Sequence, residues 1–418
     1  MTQTDDSLLA PYRVLDLTDV RGYLCGRVLR DLGADVVKIE PPSGDPGRRT
    51  GPFYKDIPHL EKSLFWFAYN LNKRGVTLDL ESADGRALFR QLVATADVLV
   101  ESFDPGYMAR LGLGYTDVAK LNPGLVYVSI SAFGQTGPHA HYNAPDIVGM
   151  AMGGLMALSG DIERPPVRIS YPQAWLHAGA EGAAAAAIAL YHRDLAGEGQ
   201  HVDVSMQQCV IWTTTNATPT WDLNHMNIPR SGAIRVRQAS GTHFPIHWPC
   251  ADGYVTFGPQ AVRMEAAALR ALVEWLDSVG YATEFLKSGK MTVLDFTVAT
   301  QEELDQVAGA VGRFFLAHTK ADLYEGARRR GIILYPVSTV ADLFEMPQLE
   351  AREYWVQVPH PELGVSLTYP GPFIQVSEAP VRLRRRAPLI GEHNAEVYCG
   401  ELGVPRERLA WLKQAGAI

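Results

Sequence analysis

The sequence predicts an α/β protein with a doubly wound parallel sheet in a large domain and a second, smaller α+β domain. Apolar runs of strand length alternate with helical patterns throughout the first half of the chain. From about Trp221 the pattern changes to hairpin-like segments followed by longer helices. The chain has 418 residues, 47% of them hydrophobic, so it is long enough to bury the cores of two domains.

The first β-α-β unit opens the sheet. Residues Tyr12 to Thr18 (YRVLDLT) have the pattern of a buried strand, and GRVLRDLG predicts a helix that ends at Gly33. The segment ADVVKIEPP predicts a second strand, ended by paired prolines. The connection between the first strand and the helix, DVRGYLCG, lacks the GxGxxG pattern. A dinucleotide site of the usual kind is therefore poorly supported.

Three further strands continue the sheet. They are GVTLDL (Gly75 to Leu80), ADVLVES, and LVYVSISAFG (Leu125 to Gly134), with a helix capped by Ser82 between the first two. We assign the polar loops NLNKRG, ESFDPG and AFGQTG to the carboxyl ends of strands. Ligands bind at that edge of open α/β sheets, so the sequence predicts a cleft there for a polar, extended molecule.

The remaining pattern sets the domain boundaries. A long Ala-rich helix covers about Gln173 to Arg193, and GQHVDVSM supplies another strand. We assign residues 1–220 to the large domain and 221–331 to the small domain. Residues 332–418, which are punctuated by prolines, return to the large domain.

Composition excludes several classes of function. A formal net charge of −8 argues against a nucleic-acid surface, which needs a basic stripe. The four cysteines have no metal-ligand or disulfide-framework spacing, so we expect no metal and a reducing cytoplasm. No apolar run reaches the length of a membrane span, and no secretion signal is evident at the N-terminus.

Several phrases together resemble the class III coenzyme A-transferase family, which includes formyl-CoA transferase and the carnitine CoA-transferases. They occur in the family's order along nearly the whole chain. They are VLDLTDV, DLGADVVKIEPPSGDPGR, NLNKRGVTLDL, ADVLVESFDPGYMARLGLGY, LNPGLVYVSISAFGQTGP, PDIVGMAMGG, IALYHR, GQHVDVSM and PLIGEHNAEVY.

The resemblance implies a Rossmann-like large domain built from both ends of the chain, a small inserted domain, and two interlocked subunits. It implies coenzyme A as cofactor and acyl carrier. The family's CoA contacts fall on residues that follow strands or lie near them, namely Val20, Arg21, Asn72, Lys73, Arg74, Ser102, Phe103 and Arg110. The cations among them suit the phosphates of CoA.

One departure from the family concerns the catalytic residue. Class III transferases use an Asp carboxylate that attacks the thioester. The matching position, aligned without a gap through Gly179 and IALYHR, is Trp175, and an indole cannot form an acyl anhydride. Glu181 is the nearest downstream carboxylate. It lies six residues on, more than a helical turn and a half at roughly 1.5 Å per residue, so it is a weak substitute.

The related α-methylacyl-CoA racemases imply a His–Asp acid–base pair. Here Pro145 occupies the position of that His, and Trp175 again replaces the Asp, so racemisation is disfavoured. We assign Asp146, the next residue, a structural role as the cap of the helix that follows it.

Three hypotheses for function follow from the resemblance and its departures. In the first, the chain is the non-catalytic subunit of a heteromeric class III CoA-transferase, paired with a homologous Asp-containing subunit. Succinyl-CoA and benzylsuccinate are the candidate substrates. In the second, it is an active homodimer that uses another carboxylate such as Glu181. In the third, it is a non-enzymatic CoA-thioester-binding protein.

Overall fold

A computed structural model describes residues 7–237, 240–258, 266–289 and 298–418. These residues fold into two units, each with its own core. The first comprises the described residues within Met1–Leu155, Ile169–Pro219 and Pro347–Ile418, and the second those within Met156–Arg168 and Thr220–Met346. The sequence pattern had instead suggested a second boundary at 331, and it gave no sign that 156–168 belongs to the smaller domain.

A six-stranded parallel sheet forms the centre of the first unit. The strand order is β3-β2-β1-β4-β5-β6, which reverses direction between β1 and β4. The strands are β1 (Arg13–Leu17), β2 (Asp35–Glu40), β3 (Arg74–Thr77), β4 (Val98–Glu101), β5 (Val126–Ser131) and β6 (His201–Ser205). The predicted α/β fold with a parallel sheet is therefore confirmed.

The middle strands are buried along almost their whole length. Strands β4 and β5 expose no residue, and β1 and β2 expose little beyond their first residues. Continuous burial explains why these segments are apolar runs instead of alternating patterns, because both faces of a parallel sheet are covered.

Helices connect these strands. In the first unit they are α1 (Tyr23–Asp31), α2 (Leu64–Asn70), α3 (Ala83–Val93), α4 (Tyr107–Arg110), α5 (Tyr115–Val118), α6 (Asp146–Met152), α7 (Ala174–Ala196) and α8 (Met206–Trp212). Helix α9 (Ala217–Asn224) spans the boundary between the units. Helix α7 packs so closely on α1 that a Cβ atom at Gly179 would lie 2.9 Å from Leu24 Cβ.

Strand β3 differs from its prediction. It begins at Arg74 and ends at Thr77, whereas the sequence pattern suggested Gly75 to Leu80. The NLNKRG loop precedes it, so this loop lies at the amino end of the strand and not at the carboxyl edge as predicted. The strand's outer side is held by the C-terminal part of the chain. Thr77 donates its N–H to Asn394 Oδ1 at 2.9 Å, and Tyr398 donates its hydroxyl to the Thr77 carbonyl at 2.9 Å.

The second unit contains two antiparallel sheets, one of three strands in the order β11-β10-β9 and one of two, β7 and β8, together with helices. Its strands are β7 (Ile234–Val236), β8 (His243–Pro245), β9 (His247–Cys250), β10 (Gly253–Thr256) and β11 (Tyr335–Pro336). Its described helices are α10 (Ala266–Ser278), α11 (Glu284–Lys287), α12 (Gln301–Leu316), α13 (Lys320–Arg329) and α14 (Val340–Phe344). The buried aromatic residues of its core include Phe244, Trp248, Phe257, Trp275, Phe314 and Phe315. The predicted hairpin pattern is confirmed by the antiparallel pairing of β9 and β10.

The C-terminal segment completes the first unit. It contains α15 (Pro347–Ala351), the antiparallel strands β12 (Trp355–His360) and β13 (Val365–Pro370), a π-helical segment (Ala395–Glu401) and α16 (Arg406–Gln414). Tyr398 and Leu412 from this segment pack into the same core as strand residues of the sheet. This part of the C-terminal segment therefore shares a core with the parallel sheet.

Candidate functional site

The carboxyl ends of β1 and β4 meet where the strand order reverses, a position at which open α/β sheets bind ligands. The Asp19 N–H donates to Ser102 Oγ at 2.9 Å, and Ser102 donates to Asp19 Oδ1 at 3.1 Å. Arg21 pairs with Asp19 at 2.9 Å and with Asp104 at 3.0 Å. The structure therefore brings Val20 and Arg21 together with the predicted residues that follow β4.

An aromatic strip extends from the end of β4 to Arg110. The rings of Phe103 and Tyr107 are 4.6 Å apart between centroids, and the Arg110 guanidinium lies 5.1 Å from the Tyr107 ring. Arg110 is well exposed and pairs with Glu81 at 3.8 Å. Two predicted CoA-binding residues thus lie on one accessible surface with planar rings and a cation.

Lys73 has a different environment from the predicted one. Its side chain is fully buried, and its ammonium group donates to Asp16 Oδ2 at 2.7 Å, Asn70 Oδ1 at 3.0 Å and the Tyr23 carbonyl at 3.2 Å. Burial lowers the pKa of Lys73, and the Asp16 carboxylate opposes that shift. Because an ammonium group has three hydrogens, this set of acceptors satisfies it within the protein.

Asn72 and Arg74 are likewise bound inside the first unit. Asn72 Oδ1 accepts the N–H groups of Arg384 at 2.6 Å and Arg385 at 3.0 Å. Arg74 forms a fork with both oxygens of Asp35, at 3.0 and 2.5 Å, and also pairs with two glutamates of the C-terminal segment. The prediction that residues 72–74 lie at the binding edge is therefore wrong in position, because they tie β3 to its neighbours.

A cavity of about 370 Å³ lies beside the β1 end in the first unit. Its walls combine the Asp19–Arg21 turn, the start of α1, one side of α2, and the segments before α6 and α7. Aromatic side chains dominate the lining, with Phe65, Tyr69, Tyr171 and Trp175 among them. The cavity adjoins the Asp19–Ser102 contact through Asp19, so it is continuous with the predicted binding edge.

Trp175 lies in the first turn of α7 and is 7% exposed. Its backbone N–H donates to Asp146 Oδ1 at 3.2 Å. Asp146 is the first residue of α6, whose start has no side-chain cap. Asp146 therefore caps α7, 29 residues further along the chain, and the expectation that it caps its own helix is wrong.

Glu181 is exposed on α7 and does not line the cavity. The carboxylates among the described lining residues are those of Asp19 and Asp146. Asp19 is engaged by Arg21 and Ser102, and Asp146 by the Trp175 amide. The geometry gives Glu181 no place beside Trp175.

Three polar atoms at the end of β5 and in the segment after it are buried without a hydrogen-bond partner within the described chain. They are Ser131 Oγ, Gln135 Nε2 and His139 Nδ1. Buried polar atoms are normally satisfied by protein, water or a ligand. Gln135 of the Gly-rich AFGQTG loop, with Ser131 before the loop and His139 after it, therefore offers hydrogen-bonding groups at the carboxyl edge of the sheet, which suits a polar, extended ligand.

Sequence reasoning missed the aromatic wall and the acid beside β1. Asp19 directly follows the first strand, a placement that signals an edge residue. Tyr69 and Tyr171 are separated by 102 residues, and their hydroxyl contact at 3.3 Å has no sequence signal. Within the described ranges, no cluster of three His, Cys, Asp or Glu side chains is arranged to hold a metal ion. The helices described also include none with the length and apolarity needed to cross a bilayer.

Comparison with known proteins identifies relatives along almost the entire chain. The profile described as CoA-transferase family III matches residues 9–394. The BbsE subunit of succinyl-CoA:(R)-benzylsuccinate CoA-transferase from Thauera aromatica is 36% identical over 97% of each chain. Formyl-CoA:oxalate CoA-transferase from Streptomyces coelicolor is 33% identical over 97% of this chain and 98% of its own.

A solved structure has the same fold. The CaiB/BaiF family protein from Brucella suis superposes with a TM-score of 0.79 at 27% identity, covering 95% of this chain and 99% of that one. The structural similarity extends over both units of the chain, including the C-terminal segment that returns to the sheet.

Proposed function

The chain belongs to CoA-transferase family III, and we propose that it is the non-catalytic subunit of a heteromeric enzyme that moves CoA between carboxylic acids. The observation that carries this proposal is Trp175 at the position of the family's nucleophilic Asp. An indole ring cannot attack a thioester to form an anhydride. Glu181, the nearest carboxylate downstream in sequence, is exposed on α7 and lies outside the cavity lining.

In this proposal the covalent chemistry takes place on a homologous subunit that retains the Asp. That carboxylate attacks the thioester carbonyl and releases CoA thiolate, which leaves a mixed anhydride. The thiolate then attacks the aspartyl carbonyl and releases the first acid. The second acid accepts the CoA by the reverse steps, so no oxidant or reductant is needed.

This chain's own edge residues support a role in holding a CoA thioester. Arg110 is an exposed cation near the carboxyl edge, and Phe103 with Tyr107 offers planar rings for a base. The partnerless polar atoms of Ser131, Gln135 and His139 can bond to amides of the carrier. Asn72, Lys73 and Arg74 act in this proposal only as supports of β3.

A large apolar surface on α7 and α8 supports a protein partner. Ile188, Tyr191 and Leu195 follow one face of α7 and are each about 70% exposed, at 69%, 69% and 73%. Trp212 on α8, which packs on α7, is 68% exposed. Contiguous exposed hydrophobic side chains mark interaction surfaces. We propose that the homologous Asp-containing subunit covers this surface, within an interlocked pair.

The exchanged acids are proposed from a relative that is itself a subunit. The BbsE relative belongs to an enzyme named for succinyl-CoA and (R)-benzylsuccinate. We propose a dicarboxylic CoA donor such as succinyl-CoA and an aryl-substituted acceptor acid of the benzylsuccinate type.

Co-expression with a homologous chain that has Asp at the aligned position tests the proposal. We expect CoA transfer from the pair and none from either chain alone. Asp→Asn in the partner should abolish transfer, and Trp212→Arg should weaken co-purification at least tenfold. Leu121→Glu, an exposed change on another surface, serves as the matched control.

Two results would replace the proposal with its alternatives. Transfer by this chain as the sole polypeptide, with a hydroxylamine-sensitive acyl adduct on it, would establish an active homodimer. CoA binding without turnover in the presence of every Asp-containing homologue of the same genome would establish a CoA-thioester-binding protein.

A further inference from the structure

We infer that the cavity beside Trp175, here called the tryptophan pocket, is a non-turnover binding site for the uncharged aromatic ring of an acid substrate. This inference rests on the proposed function, which supplies the acid. It specifies that this chain binds the aromatic ring of the acid. It also places that binding site at the position where the family has its nucleophile and this chain has Trp175.

The walls of the tryptophan pocket are aromatic on several sides. Phe65 and Tyr69 pack with ring centroids 4.8 Å apart, and the Tyr69 hydroxyl meets the Tyr171 hydroxyl at 3.3 Å. Trp175 lines the cavity from the first turn of α7. Aromatic walls favour a planar ring, because rings gain from stacked or edge-to-face contacts beyond their burial.

The charges of the pocket disfavour an anionic group inside it. Arg21 is the only cation among the described residues that line it, and it is already paired with Asp19 and Asp104. Asp146 adds a second lining carboxylate, which accepts the Trp175 N–H. A ligand carboxylate would therefore meet two like charges and no uncommitted cation, so the occupant's carboxylates stay outside.

The size of the pocket fits one ring and a short linker. At about 370 Å³ it lies near the lower end of ligand sites, which cover roughly 300–1,000 Å³. Trp175 has no atom that can take an acyl group, so the ring binds and leaves chemically unchanged. The pocket thus selects an acid without reacting with it.

Calorimetric titration of the full chain, alone and bound to its Asp-containing partner, tests this inference. The probes are 2-benzylsuccinate, its saturated analogue 2-(cyclohexylmethyl)succinate, and choline. We expect 2-benzylsuccinate to bind at least tenfold more tightly than the saturated analogue, and choline to bind more weakly than either. Ligand binding should also quench indole fluorescence, and Trp175→Phe should remove most of that quenching while keeping affinity within about threefold.

Ala144, which is buried and lines the pocket, offers a variant that fills it. Ala144→Phe should weaken 2-benzylsuccinate binding at least tenfold. Ala267→Phe adds the same volume at an exposed position of α10 and should leave binding unchanged. Circular dichroism of both variants establishes that the fold is retained. If Ala144→Phe unfolds the chain, Leu176→Phe replaces it at another lining position, in α7.

Equal affinity for the two succinates, tighter binding of choline, or no binding of 2-benzylsuccinate to either form would overturn the inference. Failure of the proposed function is a separate result. A chain that binds the aromatic acid but gives no transfer with any Asp-containing partner would overturn the proposed function and leave the pocket assignment standing.

Discussion

Trp175 lies at a position where an acidic side chain would be close to the carboxylate of Asp146. Its N–H is bonded to Asp146 Oδ1 at 3.2 Å, and both residues line the same cavity. A carboxylate restored at position 175 would lie near the Asp146 carboxylate in a mostly buried environment. Among the described residues that line the cavity, the one cation is Arg21, which is already paired with Asp19 and Asp104, so a substrate carboxylate would find no uncommitted cation beside that side chain.

We therefore expect Trp175→Asp alone to give no detectable CoA transfer. The assay is transfer of CoA from succinyl-CoA to an acid by the purified chain, with Trp175→Asn as the matched variant that lacks a carboxylate. Turnover by the Asp variant above that of the Asn variant would show that the local geometry still supports the nucleophile.

Glu101 supplies a pH-dependent contribution to stability at the end of β4. Burial raises its pKa from 4.5 to about 7, although the Ser129 hydroxyl and the Phe103 N–H favour its charged form. A raised acid pKa means that the folded state holds the proton more strongly than the unfolded state. The resulting stability is complete below about pH 4.5 and is lost as the pH rises through 7.

Glu101→Gln cannot ionise, so it removes this pH dependence. We expect the free energy of unfolding of the variant, relative to that of the wild type, to increase between pH 5 and pH 8 by up to about 3 kcal/mol. Urea unfolding at both pH values measures the difference, and Glu198→Gln, at an exposed position, is the control. Parallel pH profiles for wild type and Glu101→Gln would contradict the assignment.

Single residues also mark where sequence reasoning succeeded and where it stopped. Trp175, which the flanking motifs align with the family's nucleophile, lines the cavity beside the β1 end, and its equivalence to the nucleophile stays a prediction. Lys73 was predicted at the binding edge but is buried, because it donates to Asp16, which lies 57 residues earlier in the chain. No sequence pattern in either segment indicates this pair. Cations near a predicted cleft cannot be divided into ligand-binding and buried ones without knowing their three-dimensional partners.

At the scale of elements, the long helix α7 depends on its glycines. Gly usually weakens a helix interior by roughly 0.5–1 kcal/mol relative to Ala. At Gly179 a Cβ atom would instead lie 2.9 Å from Leu24 Cβ and 3.1 Å from the Cys25 backbone nitrogen. The missing side chain lets α7 and α1 approach closely, and this approach fixes the start of α7 beside the cavity.

Gly179→Ala should therefore destabilise the chain, by about 1–3 kcal/mol, as overpacking does in other cores. Gly309→Ala in α12 should instead stabilise the chain by up to about 1 kcal/mol. A Cβ atom at this position would lie 3.6 Å from its nearest neighbour, the flexible end of the Arg313 side chain, so there is room for it. Thermal and denaturant unfolding of the two variants provides the measurement. Stabilisation by Gly179→Ala would refute the close packing.

The elements show how far periodicity can predict structure. The strands around β1 and the long helix were predicted near their observed positions, because apolar runs and an Ala-rich pattern extend over many residues. Strand β3 was predicted too far along the chain, since Leu78 and Leu80 are also buried although they lie beyond the strand. Burial and strand pairing produce the same sequence pattern there.

At the scale of the whole molecule, the two ends of the chain build one sheet unit. Tyr398 is fully buried and donates its hydroxyl to the Thr77 carbonyl, 321 residues away in sequence. The return of the chain was predictable from its Pro-rich, short-stranded character and from the family resemblance. The strand that receives it was not, because contacts over such separations leave no periodic signal.

Tyr398→Phe should lower the free energy of unfolding by about 1–2 kcal/mol, since it leaves a buried carbonyl without this donor. Tyr142→Phe, at a side chain that is 58% exposed, should change it by less than about 0.5 kcal/mol. Hydrogen exchange at the β3 amides is the second measurement, and it should accelerate in the first variant only. Equal stability of the two variants would show that the C-terminal segment contributes little to the sheet.

The attachment of β3 to the C-terminal segment has a consequence for biosynthesis. β3 is an outermost strand of the sheet, and its contacts to Asn394 and Tyr398 come from residues made 317 and 321 positions later. At translation rates of roughly 5–20 residues per second, this interval lasts about 15–65 seconds. A nascent chain therefore exposes an unprotected strand edge during that time, and ribosomes that stall before codon 394 release a product prone to edge-to-edge association.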